Sequence, residues 1–474
     1  MGDYLQYFQE IACIPHGSHN TKMISDYLVR FANQHGLYVR QDSLNNVVII
    51  KDAHPSYVNH EPVILQGHMD MVAVKEQDCP IDMTSDGLDL FVDGDMMGAH
   101  KTSLGGDDGI AIAYMLDILS NDYKCPRLEC IITVDEEVGM DGAKGIDISD
   151  TQATRMINID NEVEGELIVG CAGGVRFVST MNVVKELGEG SIFKISVEGL
   201  KGGHSGVEID KQRGNAIKIL AGELCKLIEN YGIKLIDING GTADNVIPNY
   251  CEARVMLTNE HDNPLIAQRI ISLNGSDFYF GTENDIDTAI LKVTSEESRE
   301  MIVFDDESTR KVTEYLSKYP DGIQKMSEII PNSVETSLNI GMIVSDDEAI
   351  TVTSLVRSSI KRAKDELTYE LCKLANDYGA SYEMVGDYPG WEVREDSELA
   401  DVMAKVYEEM YLCKPEVHAI HAGLECGMFL EKRPELECVS FGPTISDIHS
   451  VKERMSLSSA KRMFEYLLRI LENM

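Results

Sequence analysis

The sequence is short of positive charge: 42 Lys and Arg side chains stand against 80 Asp and Glu, for a formal charge of −38 at pH 7. A surface this acidic repels nucleic-acid phosphates and anionic lipid head groups, whose binders need cations that displace counterions. Neither nucleic acid nor membrane is therefore an expected partner. Long apolar runs are also missing. Gly109 to Leu119 is broken by Asp117, and no stretch approaches the roughly 20 residues of a membrane helix. The first ten residues carry acids without a basic-then-apolar segment, and Gly2 lacks the Ser or Thr of a myristoylation signal, so a cytoplasmic protein is expected. The eleven cysteines, odd in number and scattered from Cys13 to Cys438, show no paired spacing, so disulfides are not expected. No P-loop, dinucleotide fingerprint, nucleophile elbow or HExxH is present, which removes the usual support for phosphoryl transfer, hydride transfer and acyl-serine chemistry.

What is present suits a folded enzyme. Hydrophobic residues make up 43% and charged residues 26% of 474 positions, a composition that builds two or three folding units with their own cores. The first 180 or so residues alternate short apolar runs with helical patterns, the habit of an α/β unit with a mostly parallel sheet. Val47 to Ile50, Val63 to Leu65, Cys130 to Val134 and Met156 to Ile159 read as buried strands, and a helix is expected from about Asp107 through Leu119. From about Ser191 the pattern turns to α+β. A strand holds Phe193, Ile195 and Val197, a helix is expected from Asp210 to Tyr231, and a strand from Lys234 to Ile238 leads to a turn at Asn239-Gly240-Gly241. Further strands are expected at Cys251 to Leu257, Ser337 to Val344 and Ile350 to Val356, with a helix at Arg362 to Tyr378. After Gly390 the α/β pattern returns, with a strand at Glu437 to Phe441 and a closing helix whose Met463, Leu467, Ile470 and Leu471 share one face, with Ser456 and Ser458 as N-caps.

Five segments place metal-competent side chains just past strand ends, where residues of open α/β sheets converge. They are Gln66-Gly67-His68-Met69-Asp70, the Ser103-to-Gly109 turn with Asp107 and Asp108, Asp135-Glu136-Glu137, Asp160, and Asp447-Ile448-His449. So many acids in one crevice repel one another and are costly to desolvate unless cations neutralise them. Imidazole with carboxylate suits Zn²⁺ or a related divalent ion, and a carboxylate can bridge two such ions. A spare carboxylate, Glu136, is placed to act as general base in a hydrolysis. His16 with His19 has metal-like spacing without nearby acids, His418 with His421 remains open, and Cys125 with Cys130 is too isolated for a zinc ribbon.

The order GHMD, SLGGDDG, DEE, NID and DIHS resembles the cytosolic dinuclear-zinc exopeptidase family that includes carnosinases, peptidase T and glutamate carboxypeptidase, over nearly the whole chain. His204 in GLKGGHSG, Arg213 to Ala216, Asn245, Arg357 in SLVRSS and HAGLECG at 421 to 427 are similar to the aminoacyl-histidine (Xaa-His) dipeptidase branch of that family. The resemblance implies an α/β catalytic domain of the zinc-exopeptidase type, with a central mostly parallel sheet, interrupted by an inserted α+β lid domain. The expected divisions are 1–186 and 388–474 for the catalytic domain and 187–387 for the lid. It implies two divalent ions, Zn²⁺ first and Mn²⁺ or Co²⁺ as alternatives, with His68 and Asp160 on one, Glu137 and His449 on the other and Asp107 bridging. Asp70 would orient His68, and Glu136 would activate a metal-bridging water. His204, Asn245 and Arg357 would face a small peptide substrate, with His421 and Glu425 as further pocket candidates, and the chain would pair as a homodimer. Where the family commonly has Ala-Asp-Asn this chain has Gly106-Asp107-Asp108; the extra acid Asp108 either alters the metal preference or caps the helix, and capping is expected.

The expected activity is hydrolysis of unblocked dipeptides, Xaa-His substrates such as carnosine preferred. A broader di- or tripeptidase, or a deacylase of N-acyl amino acids, is the alternative on the same scaffold. A non-catalytic metal or peptide binder is the alternative of another class.

Overall fold

Val63–His68 is buried at all six positions, as a strand covered on both faces must be. In the computed structural model, which describes residues 4–258, 264–297 and 299–474, it pairs in parallel with Leu128–Thr133 on one side and Arg155–Asn158 on the other. Arg155–Asn158 pairs in turn, also in parallel, with Glu437–Ser440. Antiparallel pairing adds Val47–Lys51 and Tyr38–Gln41 at one edge and Glu166–Cys171 at the other, with Glu416–Ile420 outermost beside it, eight strands in all. Val47–Lys51 and the four central strands are the runs that the sequence pattern predicts as strands; Tyr38–Gln41, Glu166–Cys171 and Glu416–Ile420 are not among them. The four parallel strands deliver the residues that follow them to one end of the sheet.

The helix Gly106–Ser120 has no polar face, and Gly106 through Leu119 are all buried. Tyr4 on Tyr4–Ala12 packs edge-on against Tyr114 with ring centroids 5.2 Å apart. The last helix, Leu457–Glu472, buries Met463, Leu467, Ile470 and Leu471 as its periodicity requires. Ser456 alone caps it, accepting from Ser459 N at 3.2 Å, while Ser458 lies inside. No helix among the described residues is long and apolar enough to cross a membrane, and no disulfide forms among them.

Met1–Gly170, Val393–Ala419 and Leu424–Met474 make this first unit; Cys171–Glu392 with Ile420–Gly423 makes a second, which interrupts the first in chain order. The positions 186/187 and 387/388 fall inside the second unit's strands Lys185–Glu198 and Ser381–Tyr388. This unit is α+β: one eleven-stranded antiparallel sheet whose core includes residues of the helices Ala216–Tyr231, Asp306–Lys318 and Lys361–Tyr378.

In this unit two local expectations fail. The helix expected from Asp210 begins at Ala216, because Asn215 takes the N-cap and accepts from Ile217 N at 3.0 Å. Asn239-Gly240-Gly241, expected as a turn, continues the strand Lys234–Gly241, with Asn239 opposite Glu252 and Gly240 opposite Cys251. The glycines serve close backbone approach there: a Cβ on Gly241 would stand 1.9 Å from Gly341 O.

Candidate metal centre

His68 closes the central strand and Asp107 opens the buried helix. Asp107 uses both its oxygens: Oδ1 lies 3.1 Å from His68 Nε2 and Oδ2 lies 3.2 Å from His449 Nε2. Asp160 Oδ1 is 3.6 Å from His68 Nε2, and Glu137 Oε2 is 2.9 Å from His449 Nε2. Residues separated by as many as 381 positions thus share one cluster. Ligand atoms of His68, Asp107 and Glu137 lie within 4.8 Å of one another, as do those of His68, Asp108 and Asp160, and of Asp107, Asp160 and Glu162.

Charge is crowded here. Burial, opposed by His68, pushes the Asp160 carboxyl upward, and burial raises Glu137 and, strongly, Glu136. Glu162 is carried to about 8 by burial and by the charges of Asp107 and Asp160. Burial also acts upward on Asp107, but hydrogen bonds from His449 and His68 outweigh it and hold that carboxyl below the usual range. His449 is raised to about 10 by its bonds to Asp107 and then Glu137. His68 loses by burial and gains more from Asp107, Asp160 and Asp70, ending well above the ordinary imidazole value. Imidazoles and carboxylates that depend on shared protons for neutrality form a donor set for divalent cations. Glu137 Oε1, buried without a hydrogen-bond partner, is an acceptor that a cation would satisfy.

The surroundings orient the donors. His68 Nδ1 lies 3.0 Å from the Asp70 carbonyl oxygen and 3.6 Å from Asp70 Oδ1, which leaves Nε2 to face Asp107. Asp70 Oδ1 also accepts from Glu136 N at 3.1 Å and Oδ2 from Ser18 Oγ at 2.9 Å. Asp108 does not cap the helix. Backbone dihedrals at Asp107 (φ −85°, ψ 106°) and Asp108 (φ −115°, ψ 32°) depart from helical values, and Asp108 Oδ2 accepts instead from His68 N at 3.2 Å. The helix start is met by Glu453, a residue with no periodicity or spacing signal in the sequence. Glu425 is fully buried, with Oε2 accepting from Gln66 Nε2 at 2.5 Å and Thr133 Oγ1 at 2.6 Å, below the strand ends.

The remaining candidates lie in the second unit. Gly203–His204 pairs with Val246–Ile247, and Ser205 N donates to Asn245 O at 2.8 Å, so His204 and the exposed Asn245 share one loop pair. His204 Nδ1 accepts from Gly206 N at 3.1 Å and Val207 N at 3.2 Å. Its pKa is lowered by burial and then by the charge of Arg357. Arg357 is 6% exposed, donates to Tyr388 OH at 2.9 Å and keeps Nε buried without a partner. His421 Nε2 is 2.7 Å from Ser337 Oγ, and burial, followed by Arg357, lowers it to about 3. Within the second unit His204 and His421 both feel the charge of Arg357, and Asn245 shares the loop pair of His204.

Residues 64–473 match the peptidase family M20/M25/M40. The chain is 34% identical to the cytosol non-specific dipeptidase of Escherichia coli (strain K12) over 473 residues, 98% of this chain and 96% of that protein. The crystal structure of aminoacylhistidine dipeptidase from Vibrio alginolyticus superimposes with a TM-score of 0.88 at 34% identity, covering 99% of this chain and 96% of that one. A tripeptidase from Staphylococcus aureus shares the fold at TM-score 0.58 and 16% identity, covering 99% of this chain and 97% of that one. With a strand-end cluster of imidazoles and carboxylates and a family match that spans most of its length, the chain belongs to peptidase family M20/M25/M40 and is a metallopeptidase.

Proposed function

We propose that the chain hydrolyses the peptide bond of unblocked dipeptides in the cytosol, with Xaa-His substrates preferred, at a centre of two divalent ions, most simply Zn²⁺. The observation that carries the reading is Asp107, which faces His68 with one oxygen and His449 with the other. On this reading His68 and Asp160 would hold one ion, Glu137 and His449 would hold the second, and Asp107 would serve both. Bound ions would supply Lewis acidity to the scissile carbonyl and lower the pKa of water.

The chain's own groups do the rest. Glu136 takes a proton from the attacking water at its carboxylate and returns it to the leaving amine. The hydrogen bond from its backbone N–H to Asp70 Oδ1 links that base to the residue that orients His68. In the second unit, read as the lid, Arg357 holds the substrate's terminal carboxylate. His204 accepts two backbone N–H bonds at Nδ1, so its neutral ring carries hydrogen at Nε2 and can donate to a developing oxyanion. Asn245 adds an amide at the same loop pair.

Two relatives at 34% identity differ, one a non-specific dipeptidase and one an aminoacylhistidine dipeptidase, so substrate range is the point to measure. Elemental analysis should find two divalent ions per chain, and carnosine and other Xaa-His dipeptides should turn over faster than other dipeptides. Failure on every dipeptide with turnover of a tripeptide or an N-acetyl amino acid would transfer the assignment to that activity. A protein that binds metal and hydrolyses none of them is a binder.

A further inference from the structure

We infer that Glu453 is a positioning residue of the metal centre: its buried carboxylate clamps the segment that carries Asp107 to the segment that carries His449. The inference rests on the metal reading above.

The segment around Asp107 needs an outside acceptor. Backbone N–H groups at the start of a helix have no partner within it, and here the N-cap is Gly105, left-handed at φ 68° and without a side chain to accept. Neither aspartate substitutes. Asp107 faces the two imidazoles, and Asp108 faces His68 N. Glu453 meets the need from 346 positions away. Its Oε2 accepts from Leu104 N at 2.8 Å and Gly105 N at 3.1 Å, and its Oε1 accepts from Gly106 N at 2.8 Å and Asp107 N at 3.4 Å. The side chain is 2% exposed. A carboxylate buried among backbone amides is held in one orientation, because rotation would leave several donors unsatisfied at once.

The other end of the clamp is the loop of His449. Asp447 and His449 both sit in left-handed backbone conformations, at φ 53° and 59°, which non-glycine residues keep only where their surroundings enforce them. Ser450 closes the loop locally: its hydroxyl donates to Asp447 O at 2.7 Å and accepts from Lys452 N at 3.1 Å, and its carbonyl accepts from Glu453 N at 3.2 Å. His449 itself is 46% exposed, so packing around the ring is incomplete. Besides the pairing of Ile445–Ser446 with Arg454–Ser456 that closes the hairpin, a tie from His449 to the protein runs through Ser450 to Glu453, and from Glu453 into the backbone of Leu104 to Asp107. By this route Glu453 sets the 3.2 Å approach of His449 Nε2 to Asp107 Oδ2.

The test separates positioning from helix capping. Metal affinity of the full chain is measured by competition with a chromophoric chelator, using Zn²⁺ and Mn²⁺ alone, beside melting of the metal-free protein and steady-state kinetics on a dipeptide. Glu453→Gln keeps the length but turns one acceptor oxygen into a donor that faces N–H groups. It should weaken binding of at least one ion by about 10- to 100-fold and lower kcat more than it raises KM. Glu453→Asp, which keeps both acceptor oxygens, should recover part of that affinity, and it carries the same comparison if the glutamine variant does not fold. In a His449→Ala background, Glu453→Gln should cost little further affinity. A variant that melts earlier but binds both ions as the wild type does would reduce Glu453 to a helix cap and overturn the inference. Wild-type protein that takes up no divalent ion would instead overturn the metal reading itself, a result visible before any variant is made.

Discussion

Thr133 gives its hydroxyl hydrogen to Glu425 Oε2 at 2.6 Å, across 292 positions of chain. Gln66 donates to the same oxygen, and Asn158 Nδ2 donates to Gln66 Oε1 at 2.6 Å. The carboxyl ends of three parallel strands are thereby joined directly behind His68 and Asp160, each two residues beyond a member of the network. These bonds fix the side chains they join, while Glu425 Oε1 and Asn158 Oδ1 stay buried without a hydrogen-bond partner, and the groups held are neighbours of the metal-centre residues.

Glu425→Gln should flatten the pH dependence of stability in the metal-free protein. Burial carries the Glu425 carboxyl up to about 7 from an ordinary 4.5. Between these values the folded chain binds a proton that the unfolded chain has released, so wild-type stability falls as pH rises through the window and stays lower above it. Glutamine can still accept from Gln66 and Thr133 and cannot ionise. Above the window it should be the more stable protein, by roughly 1–3 kcal/mol, and the advantage should vanish near the low end. Equal melting-temperature slopes for the two proteins would refute this.

Glu136→Gln should retain both ions and lose about 10²- to 10⁴-fold in kcat, the range of a missing general base. Metal content by elemental analysis and kcat on one dipeptide, measured on the same preparation, check it. An unchanged kcat would place the base elsewhere.

Metal binding should release protons, and the effect should grow as pH falls. His449 is raised to about 10 by Asp107 and Glu137, and His68 stands well above its ordinary value, yet both must be neutral to coordinate. In the metal-free protein the imidazolium–carboxylate pairs stabilise fully below the ordinary imidazole pKa, and this contribution is lost as pH rises through about 10. Calorimetric titration of Zn²⁺ in two buffers of different ionisation enthalpy counts the protons. Zero release at neutral pH would contradict the prediction.

Arg357→Met should raise KM for dipeptides while sparing dipeptide amides, which lack the terminal carboxylate. Loss of a charged hydrogen bond costs about 1.5–3 kcal/mol, or roughly 10- to 150-fold. Equal losses on acid and amide would give Arg357 a structural role through Tyr388.

Much of the catalytic unit was legible because its signals are local. Val63 to Leu65 and Cys130 to Val134 are apolar, mostly β-branched runs that favour buried strands, and acids placed beyond such runs point to a crevice whatever loops intervene. The closing helix declared itself by a 3.6-residue period that burial then obeyed. Asn239-Gly240-Gly241 misled because glycine serves turns and close strand crossings alike, and only the neighbouring backbone of Gly341 distinguishes them.

Residue type and placement along the chain thus determined that imidazoles and carboxylates would meet at strand ends, since hydrophobic period and turn chemistry act over a few residues. Tertiary structure alone decided which oxygen of Asp107 faces which histidine, that Asp108 turns to His68 N instead of capping its helix, and that Glu453 supplies the missing acceptor. A carboxylate takes its partners from whatever donors chain closure leaves unsatisfied nearby, and those donors belong to segments hundreds of positions away.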